Sequence, residues 1–527
     1  MKTYTLFICL SALIVSFLMP HHAPTQTPPM RTANYYVPPY KGHFGFGSNM
    51  GYYPPHSDTD IADFAAKIGV NTLRPALFEH FLETYGYDIR LDAFEHYADL
   101  GMRDNVCFIG YPSAEHRDKK VYGGKDTSVL FANLYEPIWD NGENDTPVND
   151  RNFYALYVYK TVKKYGKYVK FWEIWNEPDF GTTYKTEMAA GLPGAWWNTN
   201  PEPAEYALHA PVQHYIRMLR ISYEVIKNID SSSYVAVGGI GFPSFLDILL
   251  RQTDNPDNGK LTPQYPLNGG AYFDVVSYHS YPHIDNSVRE WSDKISGFTY
   301  SRHSDKAVEG VFNRQKALKN VLDKYGYDGI RYPKKHYIIT ETNIPAREKD
   351  EFMGSYTAQR NFLLKTIVKA QVNGILQCHP YSIAELKTET TMRNEFDMMG
   401  LFNMIEHVDK NQVTVNSSGI AYHTASILLK EYAYDSVETR RLNLPFPVDG
   451  AAFRHISTQN KVIYCLWAKT MLDRSEETSA VYTFPTPLSK KPFERLEWDF
   501  STTKTSKIIN YNNVKLTGTP SFFTVKN

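Results

Sequence analysis

Two apolar runs in this chain end on a carboxylate. In Phe171-Trp172-Glu173-Ile174-Trp175-Asn176-Glu177-Pro178 an aromatic stretch stops at Asn-Glu-Pro, and in Tyr337-Ile338-Ile339-Thr340-Glu341-Thr342-Asn343 a second stretch delivers another glutamate. Each reads as a buried strand that carries a carboxylate to its tip, and Pro178 forces the first into a loop. Two carboxyl groups on rigid strand ends, facing one substrate, are what cleavage of a glycosidic bond needs. One protonates the leaving oxygen; the other attacks the anomeric carbon or activates water, through an oxocarbenium-like state.

Those two strands need a scaffold that brings their ends together. Strand-like segments at 43–49, 70–75, 105–110, 169–175, 234–239, 273–279, 336–340 and 375–378 alternate with helix-like ones at 58–68, 91–100, 152–165, 204–229, 243–251, 305–325, 357–372 and 419–432. Gly69 and Gly101 read as helix stops. Eight strand–helix units in succession predict an α/β fold, a (β/α)8 TIM barrel over 41–433, with Glu177 on strand four and Glu341 on strand seven, across the mouth. The span exceeds the roughly 250 residues typical of that fold. The excess lies at 111–149, 179–203, 281–304 and 381–416, each time after a strand. That is the face on which barrels hold active sites, so the insertions build cleft walls. From about residue 435 the pattern changes to period-two runs at 437–442, 452–456, 461–468, 480–484, 507–511 and 520–525, with no helix signal between them. This predicts a C-terminal antiparallel β-sandwich over 434–527.

The chain has 527 residues, 42% of them apolar, and a net charge of -1. That allows a large core and argues against nucleic acid as a partner, because neutralising phosphates takes clustered Lys and Arg. Residues 1–23 read as a signal peptide: Lys2 is the basic start, Leu6 to Met19 is apolar, and Pro20-His21-His22-Ala23-Pro24 ends the run. The run is too short for a comfortable membrane span, and no later window reaches that length, so a secreted or periplasmic protein is expected. Cys9 lacks the small-residue context of a lipid-attachment site. Residues 24–40, rich in Pro and Tyr, read as a linker or arm. Cys107, Cys378 and Cys465 are expected to be buried thiols rather than disulfides.

Trp175-Asn176-Glu177-Pro178 on strand four, with Glu341 on strand seven, resembles clan A of the retaining glycoside hydrolases over roughly residues 41–433. The longer stretch Phe171 to Asp179 looks most like family 39; families 5 and 30 share the motif. The resemblance implies Glu177 as acid/base and Glu341 as nucleophile, with Asn176 on the sugar 2-hydroxyl. It also implies that Arg74, in Leu73-Arg74-Pro75, holds the nucleophile ionised, and that His279 and Tyr281, in Ser277-Tyr278-His279-Ser280-Tyr281-Pro282, sit beside it. Strand eight departs from the clan. Many members carry a tryptophan there, whereas this chain has Cys378-His379-Pro380-Tyr381, so Tyr381 or His379 would substitute. No cofactor and no metal are implied: His279 and His283 have suitable spacing but no helical partner carboxylate.

The substrate expected is a polysaccharide or its oligosaccharides. Insertions on several loops favour a groove and endo action. His116-Arg117-Asp118-Lys119-Lys120 and Lys125, after strand three, suggest an anionic glycan, sulfated or uronic; a solvated loop is the plainer reading of the same residues. Trp196-Trp197 could be a stacking platform for a sugar or loop packing. An exo-acting β-xylosidase-like enzyme, a transglycosylase and a non-catalytic glycan-binding protein are the other readings.

Overall fold

The structure is a computed structural model that describes residues 36–140, 142–181, 196–197, 201–486, 488 and 491–526. The expected signal peptide and residues 24–35 of the expected arm lie outside the described residues.

Strand two shows how one residue shapes the sheet. Pro75 has no N–H to give to a ladder, so the strand is split into Thr72–Arg74 and Ala76–Phe78. The first piece pairs with strand one, Gly45–Asn49, and the second with strand three, Asn105–Gly110. The others follow as Val169–Ile174, Tyr234–Val237, Val275–Ser280, His336–Thr342 and Ile375–Pro380. All neighbours pair in parallel, and strand eight returns to strand one. The nine segments therefore trace eight strands of a barrel, joined end to end through Pro75.

A helix follows each strand: Asp58–Lys67, Leu91–Asp99, Phe153–Tyr165, Val212–Ile229, Pro243–Arg251, Ser304–Lys324, Tyr356–Val372 and Ser417–Leu429. Ser57 and Asp60 form a capping box, and the side chains of Asn152, Ser355 and Asn416 each accept an amide three residues on. The fourth helix begins at Val212, not at 204, because Pro211 cannot sit inside a helix. No described helix is long and apolar enough to cross a membrane.

The strand starts are closed from below by the end of the expected arm. Tyr40 packs against Phe171 and Tyr234 at 5.7 and 6.2 Å, and its hydroxyl donates to Asp104 at 2.8 Å. His336 donates to the Pro38 carbonyl at 2.8 Å. Cys107, Cys378 and Cys465 are free and buried. The insertion at 281–304 carries a hairpin, Arg289–Ser292 with Gly297–Tyr300, and a second hairpin, Arg347–Lys349 with Phe352–Ser355, follows strand seven.

The C-terminal strands form a six-stranded antiparallel sheet, in the order Tyr432–Tyr434, Val448–His455, Val462–Ala468, Ser521–Val525, Phe493–Leu496 and Ser506–Ile509, and a two-stranded one, Ser479–Tyr482 with Val514–Thr517. One apolar cluster joins Tyr464, Leu466, Phe493 and Phe523 of the first to Tyr482, Val514 and Leu516 of the second. The expected strand at 437–442 is instead the helix Ser436–Arg441. Asp435 caps it by accepting the amides of Val437 and Glu438, a local bond that outweighs the alternation of side chains. A second short helix, Phe500–Thr503, and two strands, Phe493–Leu496 and Val514–Thr517, were likewise not legible as such.

Candidate active site

Strand four ends at Ile174 and the chain then bends sharply. Trp175 and Glu177 have φ of 72° and 49°. This left-handed region costs a non-glycine residue about 1–2 kcal/mol. Cross-strand bonds hold the bend: Trp175 N donates to Ile109 O at 2.9 Å and Glu177 N to Gly238 O at 2.6 Å. The Trp175 indole stacks on Tyr111 with centroids 4.2 Å apart, above Gly110, where a Cβ would lie 2.6 Å from the indole. Buried Asp179 accepts the amides of Gly241 and Phe242, both at 2.8 Å, and pins the bend to the end of strand five. Burial pushes its carboxyl up to about 7.

Arg74, on strand two, is the hub beneath. Its Nε donates to Glu173 Oε2, its Nη1 to Glu341 Oε1 and its Nη2 to Asn176 Oδ1, each at 2.7 Å; Nη1 also reaches Asn49 Oδ1 at 3.0 Å. Glu173 is fully buried, and its Oε1 accepts from Ser277 and Thr340 at 2.5 and 2.9 Å. His279 then closes the ring, with Nε2 3.1 Å from Thr340 Oγ1 and Nδ1 2.7 Å from Glu177 Oε1. Tyr281 donates to Glu341 Oε2 at 2.6 Å. Hydrogen bonds therefore run unbroken from Glu341 through Arg74, Glu173, Thr340 and His279 to Glu177. Gly239 makes room for the ring: at φ +61°, any Cβ there would lie 2.3 Å from His279 Nε2.

The two glutamates are treated differently by their surroundings. Burial alone would raise the Glu341 carboxyl, but His279, Arg74 and Tyr281 win and hold it below the usual range. Burial alone would lower His279, yet Glu341 and Glu177 outweigh it and raise it. Glu177 is the more open, 32% exposed against 13% for Glu341. Oxygens of the two carboxylates and a His279 nitrogen all lie within 4.8 Å of one another. Three such atoms could hold a metal ion, but the Arg74 guanidinium and the Tyr281 hydroxyl already occupy Glu341.

Asn176, Arg74, His279 and Tyr281 thus converge with Glu177 and Glu341. Tyr381 joins them at the end of strand eight, its ring 6.2 Å from that of Tyr281. Burial and the nearby Glu341 push its phenol up to about 12. His379 does not join them: it lies two residues before Tyr381 along the strand, deeper in the barrel, where it is fully buried with Nε2 3.1 Å from Gln377 Oε1. Trp196 is also fully buried, wedged against Tyr206 and Phe245 at 4.6 and 4.9 Å, so no open face remains for a sugar. Trp197 is partly exposed beside the core. His283 packs on Phe352 and Phe396, away from His279.

The sequence alone did not single out Glu173, Asn49, Thr340, Ser277, Asp179, Tyr111 or His80. For Glu173 a signal existed. It is a charge inside an aromatic strand, two residues after Phe171 and hence on the same face of the strand. A pocket of about 360 Å³ opens beside Glu177 and Asn176, lined by Trp175, Tyr111, His80, Arg117 and Phe180 among others.

No protein-family model matches the chain, and no curated protein matches it in sequence. Solved structures do match its fold. A family 39 glycoside hydrolase from the gut symbiont Bacteroides cellulosilyticus WH2 is 16% identical, with a TM-score of 0.59, covering 92% of this chain and 81% of that one. A GH30 endoxylanase from Clostridium papyrosolvens C71 is 13% identical with a TM-score of 0.51, over 94% and 99%. A family 51 α-L-arabinofuranosidase from Bifidobacterium longum is 10% identical with a TM-score of 0.50, over 92% and 97%. The structural neighbours are thus clan A glycoside hydrolases, and the likeness is one of fold.

Proposed function

We propose that the protein hydrolyses glycosidic bonds with retention of configuration, by double displacement. Glu341 attacks the anomeric carbon while Glu177 protonates the leaving oxygen. The glycosyl-enzyme consumes the charge on Glu341, and Glu177, now ionised, takes a proton from the incoming water. The observation that carries this reading is the approach of the two carboxylates to within 4.8 Å. Retaining pairs stand about 5–5.5 Å apart, whereas inverting pairs need roughly 6.5–9.5 Å to admit a water. Their unlike surroundings fit unlike roles: a cation and a phenol keep Glu341 ionised, while Glu177 is open to a leaving group. Asn176 gains an orientation from Arg74. Its Oδ1 accepts from the guanidinium, so its NH₂ faces outward, free to donate to a sugar hydroxyl.

The substrate in this reading is a polysaccharide or its oligosaccharides, cut internally, a reading supported by the insertions that follow several strands. Exo action on a short chain is the second reading. The apolar run after Lys2 supports export to the periplasm or beyond. The C-terminal sheets act as a β-sandwich buttress.

The test is the anomeric configuration of the first product, followed by NMR before mutarotation. Retention is expected, and an inverted first product overturns the reading. Azide is expected to restore turnover of an activated glycoside by Glu177→Ala, because a small anion replaces the base that this variant lacks. Glycan binding without turnover across a broad panel would favour a binding protein instead.

A further inference from the structure

The pocket beside Glu177 contains a cation with no carboxylate to answer it. Arg117 lines it, and its Nε donates to the Ser128 carbonyl at 2.9 Å. Among the described residues Arg117 makes no ion pair, unlike Arg74, Arg90, Arg217 and Arg220, each of which holds an acid. The larger cavity beside the C-terminal sheets is mixed: there Lys306, Lys319 and Lys369 pair with Glu309, Asp323 and Asp449, whereas Lys316 and Lys469 make no ion pair among the described residues.

The loop that presents Arg117 is fastened on both sides. Asp118 N donates to Leu130 O at 2.9 Å, Ala132 N to His116 O at 2.8 Å and Ser128 N to Lys120 O at 3.0 Å. His116 is tied to the buried Glu79 and stacks on Phe153 at 4.3 Å. Elsewhere in the lining, exposed His80 places Nδ1 3.1 Å from the Tyr111 carbonyl, which leaves Nε2 free. Half-buried Tyr111, backed by the buried Trp175 on which it stacks, gives the pocket an aromatic wall. An aromatic wall suits the C–H face of a sugar ring, and a guanidinium fork suits a planar or tetrahedral oxyanion.

We infer that Arg117, with His80, forms a specificity subsite for an oxyanion carried by the sugar next to the bond being cut. The ligand class is a glycan bearing either a uronate carboxylate or a sulfate ester. This rests on the glycosidase reading of the barrel mouth and names the substrate class for that site. The fork supplies two parallel donors to two oxygens; a lysine keeps the charge but not the geometry.

The experiment measures binding and turnover on two matched pairs: oligogalacturonate against its carboxyl-reduced form, and carrageenan oligosaccharides against the same chains desulfated. The wild type is expected to prefer at least one anionic member. In Arg117→Ala the anionic-to-neutral ratio of affinity, and of kcat/KM where there is turnover, is expected to fall about 10-fold or more, and Arg117→Lys is expected to lie between. The pair that responds identifies the carboxylate or the sulfate. Equal binding of both members, a ratio that Arg117→Ala leaves unmoved, or no binding of any anionic member at millimolar concentration overturns the inference. A failure of the glycosidase reading would look different: anionic oligosaccharides bound in an Arg117-dependent way, with no turnover.

Discussion

The barrel mouth and the seam between barrel and C-terminal sheets are both built on half-buried carboxylates, yet they do opposite things with them. At the seam, Asp305 accepts from Lys365 at 2.8 Å, from Trp467 Nε1 at 2.9 Å and from both the amide and hydroxyl of Thr470 at 2.7 Å. Glu476 accepts the Ser304 amide and hydroxyl and the Asn361 amide, at 2.7, 2.6 and 2.8 Å. At the mouth, Glu341 receives Arg74 and Tyr281, and Glu177 receives His279 alone. A carboxylate whose lone pairs are all taken joins two layers. One that keeps lone pairs free and faces a pocket can take part in chemistry. Cavity size does not make this distinction: the seam holds the larger space, about 760 Å³, and there Glu309 and Asp449 are paired with Lys306 and Lys369.

The sharpest way to break the comparison is to remove one charge from each region. Glu341→Gln is expected to lower kcat/KM by about 10⁴-fold or more while the protein still folds, since Arg74 keeps Glu173. Asp305→Ala is expected to cost about 3–5 kcal/mol of stability, because Lys365 is left buried and unpaired, with kcat per folded molecule retained. Denaturation and steady-state kinetics on both variants read the two effects. If Asp305→Ala lost turnover as Glu341→Gln does, the distinction between the regions would fail.

Two smaller effects sharpen it. Tyr281→Phe removes a hydrogen bond to a charged group, worth about 1.5–3 kcal/mol, and is expected to weaken turnover roughly 10- to 100-fold. The acid limb of its kcat/KM profile is expected to move up in pH, because Tyr281 helps hold Glu341 ionised. The last effect is on stability against pH. His279 is raised, so its contribution is present below about 6.5 and lost as pH rises through its folded value. His303, at the seam, is lowered by burial, so its contribution is present above about 6.5 and lost as pH falls. As pH rises, the seam is expected to gain stability up to about 6.5 and the mouth to lose it above about 6.5, and melting curves of His279→Asn and His303→Asn against wild type would show the two slopes cancelled separately. Slopes of the same sign in both would contradict the assignment.

Much of the barrel was legible because strand and helix periods are local, and glycines such as Gly69 and Gly101 mark helix ends. The placement of Glu177 and Glu341 at strand ends was legible for a related reason, whereas Arg74, His279 and Tyr281 were singled out only by the resemblance to clan A. Residues 437–442 misled because a short amphipathic stretch fits both periods until Asp435 is seen to cap it. Trp196 and His379 misled because their neighbours, Phe245 and Gln377, come from other parts of the fold or from side-chain direction.

The order of residues along the chain fixed that two glutamates would cap two buried strands of a repeating strand–helix fold, since a proline, an apolar run and a period of two or 3.6 act within a few residues. Only tertiary structure decided that Glu173 would join Arg74 to Thr340, that Trp196 would be sealed away and that Arg117 would face the pocket beside Glu177. Those outcomes depend on strand register and on how long insertions fold back over the barrel, and each is settled by contacts between residues tens to hundreds of positions apart.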